Sequence, residues 1–238
     1  MQIKLTFRPD GPLVIPYNYN YQLQSAIYAM LRNVGESDFW HDNGFGDQTV
    51  FKGFCFSGLG GRYSTDRENR KLIFDSDVHL EVRSSEFEFI DSFQRALERY
   101  PYLKLFDTRL RAVSCSLENR HLTGGSLILK AETPVVVHET ADDRHTYFFS
   151  PSEEEYCDRI CLNAEKKYET ITGNKPDSIK IATLGEFRKT VTKYQGFFIT
   201  GYTGEFELNT SLRMAEFIYN IGLGEKNAQG FGFVSVNE

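Results

Sequence analysis

The chain has 238 residues, 40% hydrophobic and 25% charged, with a formal net charge of −6. That balance fits a globular, soluble protein of one large domain or two of about 120 residues, and excludes disordered and fibrous classes. No run of about 18 apolar residues and no basic-then-apolar leader occurs, so neither a membrane span nor secretion is expected.

The segment "MQIKLTF" alternates Ile3, Leu5 and Phe7 with polar neighbours and predicts a half-buried strand. Pro12 and Pro16 punctuate a loop. In "YQLQSAIYAMLRN", Leu23, Ile27, Met30 and Leu31 fall at helical spacing, with Tyr28 at the edge of their stripe. "SDFWHDNGF" reads as a short turn or helix closed by Gly44. "VFKGFCFSGL" has aromatics at period two and predicts a strand, and "KLIFDSD" and "VHLEVRS" predict two more. "SSEFEFIDSFQRALERY" predicts a second helix, capped by Ser84 or Ser85, with Phe89, Phe93, Ala96 and Leu97 inward. "LRAVSCSLE" closes this half as a strand.

The second half repeats the order. "SLILKA", "PVVVHE" and "TYFF" predict strands, followed by a helix in which Ser150 caps, Pro151 takes the first position and Glu153 completes a capping box. Gly173 ends that helix. Strands "SIKIA", "KTVTKY" and "GFFITGYTGEFEL", a helix "SLRMAEFIYNI" capped by Gly222, and a last strand "GFGFVSV" complete the chain. The expected fold is α+β, two tandem ferredoxin-like halves, residues 1–120 and 121–238, with the boundary between Leu117 and Ser126.

Cys55, Cys115, Cys157 and Cys161 form no C-x-x-C pair, and the expected compartment is the reducing cytoplasm. Cys157 and Cys161 sit four apart, which on a helix is one packed face. The acidity is local. Eight Asp or Glu and one basic residue, Arg144, lie between Glu132 and Asp158, and outside that window the balance is 26 basic to 25 acidic. A basic face elsewhere therefore stays open, although the overall charge by itself argues against nucleic acid.

"IGLGEKNAQGFGFVSV" places Gly222, Gly224, Gly230 and Gly232 within eleven residues. It is not a P-loop, because Lys226 is followed by Asn227 and a helix precedes the loop. It is not a dinucleotide fingerprint, which needs strand, loop, helix. A kinase loop would need a kinase after it. Two readings remain: a tight helix-to-strand turn with a bulge, or a loop whose open backbone N–H groups approach a polyanion.

A helix followed by G-x-G-x5-G-x-G and a closing strand resembles the hallmark of the RAMP superfamily of CRISPR-associated proteins. "GLGEKNAQGFGFVSV" is similar to its form in the sixth numbered Cas family, the endoribonuclease that cuts precursor CRISPR RNA. "PYNYNYQLQSAIYAML" resembles that family's first-helix segment, "FWHDNGF" its short histidine segment, and "VFKGFCFSGL" its following strand. The resemblance implies a metal-free, cofactor-free cleavage of CRISPR repeat RNA. The RNA's 2′-hydroxyl attacks the neighbouring phosphate and leaves a 2′,3′-cyclic phosphate and a 5′-hydroxyl. Such chemistry needs proton transfer and stabilisation of a doubly charged phosphorane.

The scattered His41, His79, His121, His138 and His145 show no metal-ligand spacing. His41 can take or give a proton near neutral pH, and the resemblance makes it catalytic; by residue type alone it could equally be a solvated or capping histidine. Tyr28 and Lys52 fall where the family places the rest of its site, against the alternatives of helix-edge packing and an exposed strand residue. For holding RNA, Arg188, Lys189 and Lys193 beside Tyr194 mix phosphate contacts with a stacking ring, with Lys226 and Asn227 of the glycine loop as further candidates; solvated surface is the alternative. This region and the glycine loop are expected on one face, with the acidic window turned away. Expected partners are repeat RNA and CRISPR effector subunits, and the chain itself is expected as a monomer or homodimer. The rival readings are a RAMP protein that binds CRISPR RNA without cutting it, and an RNA-free ferredoxin-like scaffold or small-molecule sensor.

Overall fold

In a computed structural model, which describes residues 1–35, 40, 43–47, 49–142 and 145–237, Ile3, Leu5 and Phe7 are buried while Lys4 and Arg8 face solvent. The first alternating segment is thus a strand, β1 (Gln2–Pro9). It lies between β5 (Lys71–Ser84) and β7 (Thr108–Glu118), antiparallel to both. The sheet extends through β2 (Leu13–Pro16) beyond β5 and β6 (Tyr102–Leu105) beyond β7. β3 (Phe54–Phe56) and β4 (Gly60–Asp66) also pair with β5. Helices α1 (Asn20–Arg32) and α2 (Phe87–Arg99) pack Leu23, Ile27, Phe89 and Phe93 on the sheet's Ile3, Leu5 and Phe7. Each such large side chain contributes about 1.5–3 kcal/mol of burial.

The second half runs β8 (Ser126–Ala131), β9 (His138–Thr140), β10 (Thr146–Phe148), α3 (Glu155–Thr172), β11 (Lys180–Tyr194), β12 (Phe197–Asn209), α4 (Leu212–Ile221) and β13 (Val234–Asn237). Its sheet order is β11-β12-β8-β13, with β9 and β10 as a separate hairpin. The first half contains the same spatial order in β3-β5-β1-β7. Both halves are β-α-β-β-α-β units with helices on one face, so the fold is α+β with two tandem ferredoxin-like units. Ile160, Tyr168, Phe206, Met214 and Ile218 belong to a second core, separate from the first. Among the described residues no helix is long and apolar enough to cross a membrane.

Several elements differ from their sequence expectation for identifiable reasons. "KLIFDSD" and "VHLEVRS" are one strand, β5, because β2 and β4 pair its first part and β1 and β3 its second. Its central acids are paired, Asp75 with Arg62 and Asp77 with Arg8. "SIKIA" and "KTVTKY" likewise join in β11, with the register shift between Leu184 and Arg188 absorbing the break. The strand after the histidine segment is only three residues long, and Lys52 precedes it rather than lying on it. α3 starts at Glu155, not at Pro151. Glu153 does accept the Ser150 N–H at 2.5 Å, as in a capping box, but residues 151–154 form a turn before the helix. α2 begins at Phe87 with no side-chain cap; Ser84 Oγ instead accepts the Glu86 N–H at 3.0 Å. The final strand begins at Val234 rather than at Gly230. Gly173 closes α3 in the left-handed region at φ 68°, as expected. Cys157 and Cys161 pack at the margin of the second core, and Cys55 is buried, its thiol pushed up to about 12 by desolvation.

The halves are riveted by polar contacts. Arg83, 3% exposed, lies between the rings of Tyr219 and Phe233, 3.7 and 3.9 Å from their centroids. It donates to the Val234 carbonyl at 2.6 Å and pairs with Glu81. The Tyr219 hydroxyl donates to Gln2 at 2.9 Å, and Asn20 donates to the Gln229 and Gly230 carbonyls.

Candidate nucleic-acid interface

A cleft of about 720 Å³ opens between the halves. One wall comes from α1, through Gln24, Ser25, Tyr28 and Arg32, and from the segment before β3, through Lys52. The other wall comes from α3, the turn after β11, the glycine loop and His138.

Tyr28 sits on the helix face that meets the core. It is 5% exposed and edge-on to Phe54 at 5.8 Å, so both its packing and its place in the cleft are real. Lys52 is half-buried. His41 lies outside the described residues. Its neighbour Trp40 is buried edge-on to Phe89 at 5.1 Å, within the core of the first half.

Strand alternation divides the basic stretch of β11. Tyr194 lines the cleft, its hydroxyl donating to Gln24 and its ring edge-on to Tyr21 at 5.6 Å. Lys189 and Lys193 are exposed on the opposite face of the strand, directly across from Tyr202 and Phe198. Arg188 shares the Tyr194 face but lies further along, beside a separate groove with Lys130, Thr190 and Glu205. The stretch therefore does not present one face to the cleft. The hairpin tip adds a feature the sequence reading passed over: Phe197 and Phe198 are 76% and 65% exposed.

The glycine loop is tied inward. Gly232 has φ 67°, and a Cβ there would lie 1.8 Å from the Leu223 carbonyl oxygen. Leu223 N–H donates to Gly232 O at 2.8 Å, Glu225 N–H to Val136 O at 2.9 Å and Gly232 N–H to Pro134 O at 2.9 Å. Gly222, Gly224 and Gly230 are buried as well. Asn227, expected to face RNA, has its side chain committed inside the loop: its amide donates to Leu223 O and Phe231 O, and its oxygen accepts from Lys167 at 2.6 Å. The expectation of open backbone donors is thus corrected for the N–H groups of Leu223, Glu225 and Gly232, because the loop uses them itself. Lys226, with φ 60°, lines the cleft, and burial lowers its pKa.

Two contributors escaped the sequence reading. Lys167 on α3 is 4% exposed and donates to the Gly222 and Gly224 carbonyls as well as to Asn227. Desolvation pushes its amine down to about 7, against the opposing pull of Glu225 and Cys55. Its signal was a lysine within the buried helical stripe Tyr156, Ile160, Ala164, Tyr168. His138 pairs through Nδ1 with the Glu225 carboxylate, which also accepts the His138 N–H at 3.0 Å. No local pattern announces that pair, whose members are 87 residues apart. His138 also lies inside the acidic window, so that window adjoins the cleft instead of turning wholly away. Part of its charge is spent internally: Glu139 and Glu155 hold Arg159, and Glu153 accepts from Tyr147.

Two ferredoxin-like units, the second closing through a buried glycine loop beside the inter-unit cleft, define a RAMP-type architecture. The family model "CRISPR associated protein Cas6, C-terminal" matches residues 117–236, half of the chain, and the chain belongs to the Cas6 family. A CRISPR-associated endoribonuclease, Cas6 1 of Methanocaldococcus jannaschii, is 28% identical over 98% of this chain and 92% of its own length. A solved structure described as CRISPR associated protein Cas6 superposes with a TM-score of 0.82 at 26% identity, covering 100% of this chain and 99% of that one. Another, described as a RAMP protein binding different RNA substrates, has a TM-score of 0.86 at 23% identity, with full coverage of both, and speaks for the fold alone.

Proposed function

We propose that this chain is a metal-independent endoribonuclease that cuts precursor CRISPR RNA within its repeats. The observation that carries the reading is the cleft itself. It gathers Tyr28 and Lys52 from the first half with Lys226 and His138 from the second, in a chain whose relative is named an endoribonuclease. The RNA brings its own nucleophile. His41 moves the proton of the 2′-hydroxyl, Tyr28 orients that hydroxyl or donates to a phosphate oxygen, and Lys52 offsets the charge of the phosphorane. Lys189, Lys193 and the hairpin-tip phenylalanines hold flanking nucleotides. The RNA is the repeat of the host's own array, the compartment is the cytoplasm, and effector subunits are the downstream partners.

Incubating the protein with that repeat in EDTA and mapping both ends tests the reading. One cut per repeat, ending in a cyclic phosphate, is expected. His41→Ala should lower the single-turnover rate about 10²–10⁴-fold while RNA affinity holds. Tight binding with no cut by the wild-type protein would instead favour the non-cutting RAMP reading.

A further inference from the structure

Transesterification of RNA moves two protons: one leaves the 2′-hydroxyl and one must reach the departing 5′-oxygen. Attacking and leaving oxygens stand roughly in line across phosphorus, so the two proton-handling groups belong on opposite sides of the strand. The reading above gives one of these roles to His41, which lies outside the described residues. The cleft wall contributed by the second half holds a histidine that no part of that reading uses for chemistry.

His138 is the one histidine among the described residues that lines the cleft. His79 contacts Thr6 on the sheet of the first half, and His121 is 76% exposed near Glu216. The His138 imidazole is oriented by Glu225 and Phe148. Nδ1 meets Glu225, the backbone N–H meets the same carboxylate, and the ring stacks on Phe148 at 5.8 Å with planes 26° apart. Glu225 is itself fixed, because its N–H donates to Val136 O. With Nδ1 engaged, Nε2 is the nitrogen left to meet a ligand. A carboxylate on Nδ1 fixes the ring's orientation and leaves Nε2 to exchange a proton with the RNA. Lys52 and Lys226 suit charge compensation of the phosphorane.

We propose that His138, oriented by Glu225, protonates the 5′-oxygen leaving group in this cleft. The inference rests on the endoribonuclease reading and deepens it. In the step, the 2′-oxygen–phosphorus bond forms and the phosphorus–5′-oxygen bond breaks. The 2′-hydroxyl proton passes to His41, and the Nε2 proton of His138 passes to the 5′-oxygen. One imidazole gains a proton and the other loses one, so the step closes without a further reactant.

The test compares two repeat RNAs, one natural and one with sulfur replacing the bridging 5′-oxygen at the cut. A thiolate leaves without help from an acid. His138→Gln should slow the natural substrate about 10²–10⁴-fold, leave RNA affinity within about twofold, and cut the sulfur substrate at nearly the wild-type rate. Glu225→Gln should show the same rescue with a smaller loss, and carries the test if His138→Gln does not fold. Equal losses on both substrates would make the histidine a structural residue and overturn the proposal, as would no loss on either. If the wild-type protein cuts neither RNA, the endoribonuclease reading and this inference fall together; if it cuts both and the variants lack the rescue, the inference alone falls.

Discussion

The glycine loop, residues 222–232, and the tip of the β11–β12 hairpin differ in which way their chemistry points. The loop spends its own donors on itself and on residues 134–136, and Lys167 and Asn227 fill its interior. The tip leaves Phe197 and Phe198 in solvent, with Lys193 across from Phe198. A glycine-rich motif therefore signals close backbone approach here, not exposure. The loop serves the cleft as a scaffold for Lys226 and Glu225, while the hairpin offers surface.

The largest expected effect comes from forcing a side chain into the loop. Gly232→Ala places a Cβ 1.8 Å from the Leu223 oxygen at φ 67° and should destabilise the fold by about 3–5 kcal/mol in denaturant titrations. Gly196→Ala in the hairpin turn has a comparable φ of 89° but nothing within 4 Å, so only the left-handed backbone cost of about 1–2 kcal/mol should appear. Equal effects would erase the contrast between the two regions.

Lys167 sharpens it through pH. Its amine is lowered from 10.5 to about 7 in the folded chain. Between those values the unfolded chain holds more protons than the folded one, so this group adds stability as pH rises and carries its full burial penalty below about pH 7. Cys55, raised from 9.0 to about 12, works the other way above pH 9, so pH 7 to 9 is the window to use; the Met1 amine, lowered by burial from 8.0 to about 6, also adds stability up to pH 8 but does so in both proteins. Over that window the wild-type protein should gain on Lys167→Met by about 2–3 kcal/mol. Parallel stability curves would mean that the amine does not titrate there.

At the hairpin the expected effects fall on RNA and not on stability. Phe198→Ser should leave stability within about 0.5 kcal/mol and weaken repeat-RNA binding by about 1–3 kcal/mol, the range of one lost stacking partner. Changing Lys189 and Lys193 together to Ala should reduce the salt slope of binding by about 1.4 for single-stranded RNA. Arg188→Ala, beside its separate groove, should leave the slope unchanged. An Arg188 effect equal to that of the lysine pair would show that the division of β11 by strand alternation does not govern binding.

Much of this molecule was legible in the sequence. The alternation of Ile3, Leu5 and Phe7, the cap at Gly173 and the tandem order of elements are local signals, and local hydrogen bonding decides them. Strand continuity was not legible, because β5 runs through Asp75 and Asp77 only by virtue of partners on other strands. Tyr28, Lys52 and Lys226 were nominated through the family resemblance, and all three line one cleft. Lys167 and His138 were not, since each takes its meaning from loop residues 55 to 87 positions away. Long-range burial and pairing leave no mark on a local pattern.

The central claim is that the cleft cuts RNA by means of the RNA's own 2′-hydroxyl. Repeat RNA with a single 2′-deoxy residue at the mapped cut site, incubated with the wild-type protein in EDTA, tests it most directly. The account predicts unchanged binding, no cleavage at that site, and full cleavage of the all-ribose control to a cyclic phosphate. Cleavage of the 2′-deoxy RNA at the same site would contradict it.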